Sequence, residues 1–138
     1  MSDATQNLPV TWDSGSHSMG TVKDGCAVIR EGAFVVRQTA DGKYDHGGDK
    51  TGVVFAGVAL EEGEAGQTLR LRTIGVFGPY AYAPADADEG LIGTPLTLVD
   101  DQTVDLASAT TNDVVCGALF AVDSASQVRV KIEPATKG

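Results

Sequence analysis

Four short stretches of this chain carry residue types that do chemistry. The string Ser16-His17-Ser18-Met19-Gly20 stands one residue short of the Gly-x-Ser-x-Gly elbow. That elbow works because a strained strand-to-helix turn lifts the serine to the top of a parallel sheet, with acid and histidine arriving later in the chain. Here the only later histidine is His46, and neither a preceding strand nor a following helix is expected, so the string reads as part of a solvated arm. Asp45, His46 and Asp49 are ordinary metal-ligand types. Gly47 and Gly48 interrupt them and no second cluster adds ligands, so a polar surface turn is expected. Asp86, Asp88 and Gly90 resemble the start of a calcium loop, but the EF-hand pattern wants glycine and glutamate where this chain has Leu91 and Thr97. No glycine cluster leads into a helix whose N-terminus would cradle phosphate. No catalytic residue, metal site or cofactor is therefore expected, and the chain reads as a non-enzyme.

Two further groups point to surfaces. Arg70 and Arg72 are a clustered basic pair on an alternating segment. They fit cross-strand pairing with carboxylates or anchorage of an acidic partner. Tyr80 and Tyr82 lie beside Pro79 and Pro84 on an irregular stretch. Tyrosines so spaced supply contact area at low entropic cost in a partner or oligomer surface, or pack at the edge of a core. Cys26 and Cys116 sit far apart within apolar runs and read as small buried hydrophobes rather than a bridge.

Composition bounds the partners. A chain of 138 residues suits one domain with a sizeable core. Its formal charge of -9, from 10 Lys+Arg against 19 Asp+Glu, repels phosphate backbones and anionic lipid, so direct nucleic-acid or membrane binding is not expected. No apolar run reaches the roughly 18 residues of a membrane span, and the polar first residues lack the apolar core of a signal peptide. Synthesis in a reducing cytoplasm follows.

The elements that must position these residues are short strands. Helical periodicity is nearly absent, while glycine, at 17 residues, punctuates brief apolar runs. A hairpin is expected across Glu31-Gly32, joining 26–30 to 33–37, followed by a polar loop over 39–52 and a two-sided buried strand over 53–60. Residues 68–77 alternate, with Leu69 and Leu71 opposite Arg70 and Arg72, until Ile74 and Val76 take the arginines' parity. One extra residue near Thr73, a bulge, would restore a single apolar face. A loop with at most one helical turn is expected over 79–90. A hairpin then pairs 95–99 with 103–106, and strands over 114–122 and 128–132 close the chain. Seven or eight strands at this spacing predict an all-β fold, a small β-barrel or β-sandwich of short antiparallel strands. The body is expected over 21–138, preceded by an extended N-terminal arm over 1–20. Leu8, Pro9, Val10 and Trp12 are the arm's only large apolar groups between its two methionines, Met1 and Met19.

From Gly52 onward the order of features resembles a family of tailed-phage capsid decoration, or cement, proteins. The resemblance rests on Gly57-Val58-Ala59-Leu60, the acidic turn Glu62-Gly63-Glu64-Ala65-Gly66-Gln67, and Leu69-Arg70-Leu71-Arg72-Thr73-Ile74-Gly75-Val76-Phe77. Gly93-Thr94-Pro95-Leu96, Cys116-Gly117 and the last strand continue it. It implies an all-β head-stabilising protein of the virion, seated on the outer capsid surface. It also implies that the protein is often a homotrimer that clamps adjacent major capsid protein subunits. Docking is then expected of the arm, laid along a capsid strand edge with Leu8, Val10 and Trp12 in pockets. A virion or cell-surface carbohydrate-binding β-module, stacking sugars on Tyr80, Tyr82 and Trp12, is the alternative.

Overall fold

A computed structural model describes residues 17–133. They form ten strands: β1 (His17–Thr21), β2 (Phe34–Gln38), β3 (Tyr44–His46), β4 (Val53–Ala59), β5 (Thr68–Arg72), β6 (Gly75–Tyr82), β7 (Pro95–Leu98), β8 (Thr103–Leu106), β9 (Val115–Ser124) and β10 (Gln127–Ile132). The expected all-β class with short antiparallel strands is what the chain adopts. Five strands make an open sheet in the order β1-β5-β4-β2-β3, and five close into a barrel in the order β10-β6-β8-β7-β9. Every pairing is antiparallel except β6 with β8. The open sheet curls until its edges meet at one end, where Val22 bridges Tyr44 and the Lys23 amide donates to the Tyr44 carbonyl at 2.9 Å.

Strands β2 and β4 are apolar on both faces, which is why the two units pack as they do. On one face Phe34, Val36, Phe55 and Val58 join Tyr80, Leu96, Leu98, Leu119, Val128 and Val130 in a core shared with the barrel. On the other, Val35, Ala56 and Ala59 meet Leu69, Leu71, Tyr44, Val22 and Ile29 in a second core. The last two come from the chain between β1 and β2, which covers that face. The expected two-sided strand at 53–60 is thus present as β4.

Several local expectations are corrected. From His17 on, the last residues of the expected arm belong to β1, whose polar sequence gives no periodicity signal. Residues 26–30 form no strand. Only Ile29 bridges, to Gly63, and β2 pairs instead with β3 and β4. The expected polar loop at 39–52 contains β3. No bulge repairs the parity of 68–77: β5 ends at Arg72 and β6 starts at Gly75 in the barrel, so the parity change marks the crossing between units. Pro79, Tyr80 and Tyr82 belong to β6 rather than a loop, and the one turn of helix is the 3-10 turn Glu89–Leu91.

Glycine fixes two close approaches. A Cβ on Gly57 would lie 2.5 Å from the Arg72 carbonyl oxygen, and one on Gly117 would overlap the Lys131 carbonyl oxygen across the β9–β10 pair. Both residues have φ of 154°, which side-chain-bearing residues rarely adopt. Gly117→Ala therefore meets both a strained backbone and a carbonyl that cannot move without breaking the ladder. A loss of about 3 kcal/mol or more in urea unfolding is expected. Gly25→Ala, with nothing within 4 Å of its added Cβ, meets only the φ penalty and loses about 1 kcal/mol.

Candidate functional site

The surface residues singled out from sequence do not converge. Leu8, Pro9, Val10 and Trp12 lie outside the described residues. Tyr80 and Tyr82 are core residues, 7% and 5% exposed, which contradicts their expected role in a partner surface. The Tyr80 ring stacks on Phe34 at 4.1 Å and its hydroxyl donates to the Gly32 carbonyl at 2.7 Å, tying the barrel to the open sheet. Burial pushes both phenols above their ordinary pKa. The parity of β6 explains the correction, since Tyr80 and Tyr82 share the barrel's inward face.

Arg70 lies on the outer face of β5, and its guanidinium forks onto Glu61, with Nε to Oε1 at 3.3 Å and Nη2 to Oε2 at 3.2 Å. The Glu61 carboxyl is held below its ordinary range by that hydrogen bonding. Arg70 is thus neutralised within the chain by the turn that follows β4. Arg72, half-buried, is paired in register with His17 and Val58. Neither arginine shares a surface with the tyrosines. The other candidate strings also have local duties. Ser18 Oγ shares a 2.8 Å hydrogen bond with the Tyr44 hydroxyl, and Asp88 caps the 3-10 turn by accepting from the Gly90 amide at 2.8 Å.

The main polar constellation is one the sequence reading took for a surface turn. Asp45, on β3, is 7% exposed. Its Oδ2 takes ion pairs at 3.0 Å from both Lys23 and Lys50, and its Oδ1 accepts from the His46 amide at 2.8 Å and from the Cys26 thiol at 3.6 Å. Burial alone would push this carboxyl up, but the hydrogen bonds from Lys23, Lys50 and the His46 amide outweigh it and hold the pKa at about 2. Lys23 is raised in turn by its bond to Asp45. Beside it, the Asp49 carboxylate accepts from the backbone amides of Thr111 and Asn112, at 2.9 and 2.7 Å, and so pins the β8–β9 loop. The chemistry available here is electrostatic fastening. Every carboxylate oxygen of Asp45 is engaged by a donor, and burial raises the Cys26 thiol and pushes the Cys116 thiol up to about 12, so neither is a ready thiolate. Both cysteines are free, but only Cys116 is the buried hydrophobe expected; Cys26 is half-buried, with its thiol turned to Asp45. Among the described residues no group of His, Cys, Asp and Glu is arranged to hold a metal, and no helix is long and apolar enough to cross a membrane.

What the described residues do expose is a wall. On the outside of the barrel, Val76 of β6 pairs with Lys131 of β10, which pairs with Ala118 of β9, which pairs with Pro95 of β7. Phe120 stands beside this row at the β9 bulge that separates the Leu119–Val130 and Ala121–Arg129 pairs, and it is 49% exposed. Val76 is 40% exposed and Ile92, one residue from the Gly93 amide bonded to Leu119, is 49% exposed. The wall's charges balance: Arg129 is fastened to Asp123 at 3.0 Å, and exposed Lys131 is followed by exposed Glu133. In a chain of formal charge -9, this is a patch of apolar area without net repulsion.

Comparison of the chain with protein-family models, with characterised proteins and with solved structures found no match. The residues themselves therefore carry the functional reading.

Asp45→Asn tests the fastening. Its folded carboxyl titrates below an unfolded one, so its stabilisation is full above about pH 4 and is lost as pH falls through about 2. The variant is expected to lose on the order of 2 kcal/mol at pH 7 and to show a shallower fall in stability between about pH 4 and 2, measured by urea unfolding across that range.

Proposed function

We propose that this chain is a structural protein of a tailed-phage head, which binds the outer capsid surface and stabilises the shell by bridging adjacent subunits of the major capsid protein. The observation that carries this reading is the barrel wall. An exposed aromatic, aliphatic side chains and the rigid backbone of Pro95 face outward there from a wall whose few charges balance. Such a surface suits burial against a large, rigid protein partner.

The resemblance to capsid decoration proteins supports the same reading for a physical reason. Its matched small residues include Gly57 and Gly117, which sit where neighbouring backbone leaves no room for a Cβ. Positions of that kind constrain the backbone, so the resemblance at them favours the reading more than a resemblance at exposed positions would. The segment bearing Leu8, Pro9, Val10 and Trp12 is the proposed second contact, and the virion exterior the proposed location. The carbohydrate-binding alternative loses two of its three platforms, because Tyr80 and Tyr82 are buried, while Trp12 lies outside the described residues.

Purified protein mixed with undecorated heads of its phage is expected to add regular density to the shell and raise its rupture temperature. Phe120→Asp is expected to cut occupancy at least about tenfold while leaving the thermal unfolding of the free protein nearly unchanged. Bare shells after mixing with the unaltered protein would end the capsid reading, and full occupancy by the variant would move docking away from the wall.

A further inference from the structure

The barrel is closed, so its wall offers side chains to a partner and no strand edge. Its exposed apolar groups start at the crossing between the units, with Ile74, and continue through Val76 of β6 to Phe120 of β9 and Ile92. Left bare on a free chain, such a patch draws copies together. The sequence carries a cover that enters at the near end of the patch. Strand β1 runs antiparallel to β5 with His17 opposite Arg72, so the chain enters β1 where β5 leaves for the barrel, two residues before Ile74. Sixteen residues precede His17, and Leu8, Pro9, Val10 and Trp12 fall within an uncharged run of it, 8–12. Reach decides whether they arrive. An extended chain spans about 3.4 Å per residue, which allows Trp12 about 17 Å from His17 and Leu8 about 31 Å. Val76 lies at most about 14 Å along the chain from Arg72, and Phe120 lies two strand spacings and two residues beyond, about 12 Å more. Trp12 thus reaches the Ile74–Val76 end and Leu8 reaches Phe120.

We propose that residues 8–12 lie along the barrel wall of their own chain in the free protein, with Trp12 toward Val76 and Leu8 toward Phe120, and shield it until a partner displaces them. Charge fits the same direction. Asp13 follows Trp12, and Lys131, the register partner of Val76, makes no ion pair among the described residues. Pro9 suits a wall without an edge, because it holds extended backbone and has no amide to leave unpaired. A short tether gives an effective concentration on the order of millimolar, so at micromolar protein the chain's own segment outcompetes that of a second copy. The cover concerns the free chain and is independent of any partner. Its consequence, that docking of the wall frees residues 8–12 for the second contact, rests on the capsid reading.

Trp12 is the chain's one tryptophan, so its fluorescence reports this segment alone. Acrylamide is expected to quench it at least about threefold less effectively in the unaltered full chain than in Phe120→Asp or Val10→Asp. Because both changes break one contact, combining them should add nothing beyond either alone. Met19→Asp, at an exposed position on β1 away from the wall, should leave quenching as it is. Nuclear Overhauser contacts from the Trp12 indole to the Val76 methyls should persist on dilution. Quenching in Phe120→Asp equal to that of the unaltered protein would overturn the proposal, and so would release by Met19→Asp. Protection that disappears on dilution, together with a fall in sedimentation coefficient, would make a second copy the cover and would equally overturn it. Bare shells alongside a protected Trp12 would end the capsid reading and leave the cover standing.

Discussion

Strands β2 and β4 must be covered twice. Their side chains alternate between two apolar sets, Phe34, Val36, Phe55 and Val58 on one face and Val35, Ala56 and Ala59 on the other, and every one of them is buried. Leaving either face in water would forfeit roughly 1.5 to 3 kcal/mol for each large side chain. The barrel covers the first face. The strand β5 side chains Leu69 and Leu71, together with Val22 and Ile29, cover the second. The crossing at residues 73–74, the curl of the open sheet onto Tyr44, and the path of the chain before β2 all follow from that need.

The polar groups then fasten what the cores bring together. Asp45 draws Lys23 and Lys50 onto β3, Asp49 holds the β8–β9 loop, Tyr80 reaches from the barrel to Gly32, and His46 reaches from β3 to Asp101. Most of these contacts join segments far apart in sequence. A domain with so few local contacts gains its rigidity from such ties, and rigidity is what a surface that docks on another protein requires, because little ordering entropy remains to be lost on binding.

Much of this was legible in the sequence where alternation is clean. The β7–β8 hairpin and β10 follow from period-two patterns, and β4 follows from a short unbroken apolar run with a central glycine. Strand β1 was not legible, because His-Ser-Met-Gly-Thr carries no alternating apolar signal and is held by register with β5 and by Tyr44. The crossing between the units imitated a bulge, since moving to another sheet changes the inward parity just as an extra residue does. For Tyr80 and Tyr82 the sequence left a partner surface and the edge of a core both open, because nearby prolines signal irregular backbone; Pro79 in fact sits within β6 opposite a register shift, and the core reading holds. The Asp45 cluster was hidden for a different reason. Its cations are supplied from positions 22 residues before and 5 after, and only the bridging of Val22 to Tyr44 brings the first of them close.

The central claim is that the open sheet and the barrel share one core and stand or fall together. Native-state hydrogen exchange of the Leu71 amide, in the open sheet, and the Val130 amide, in the barrel, measures this directly. Equal opening free energies that fall with the same denaturant dependence are the predicted result. Separate opening free energies, with one unit exchanging while the other stays protected, would contradict it.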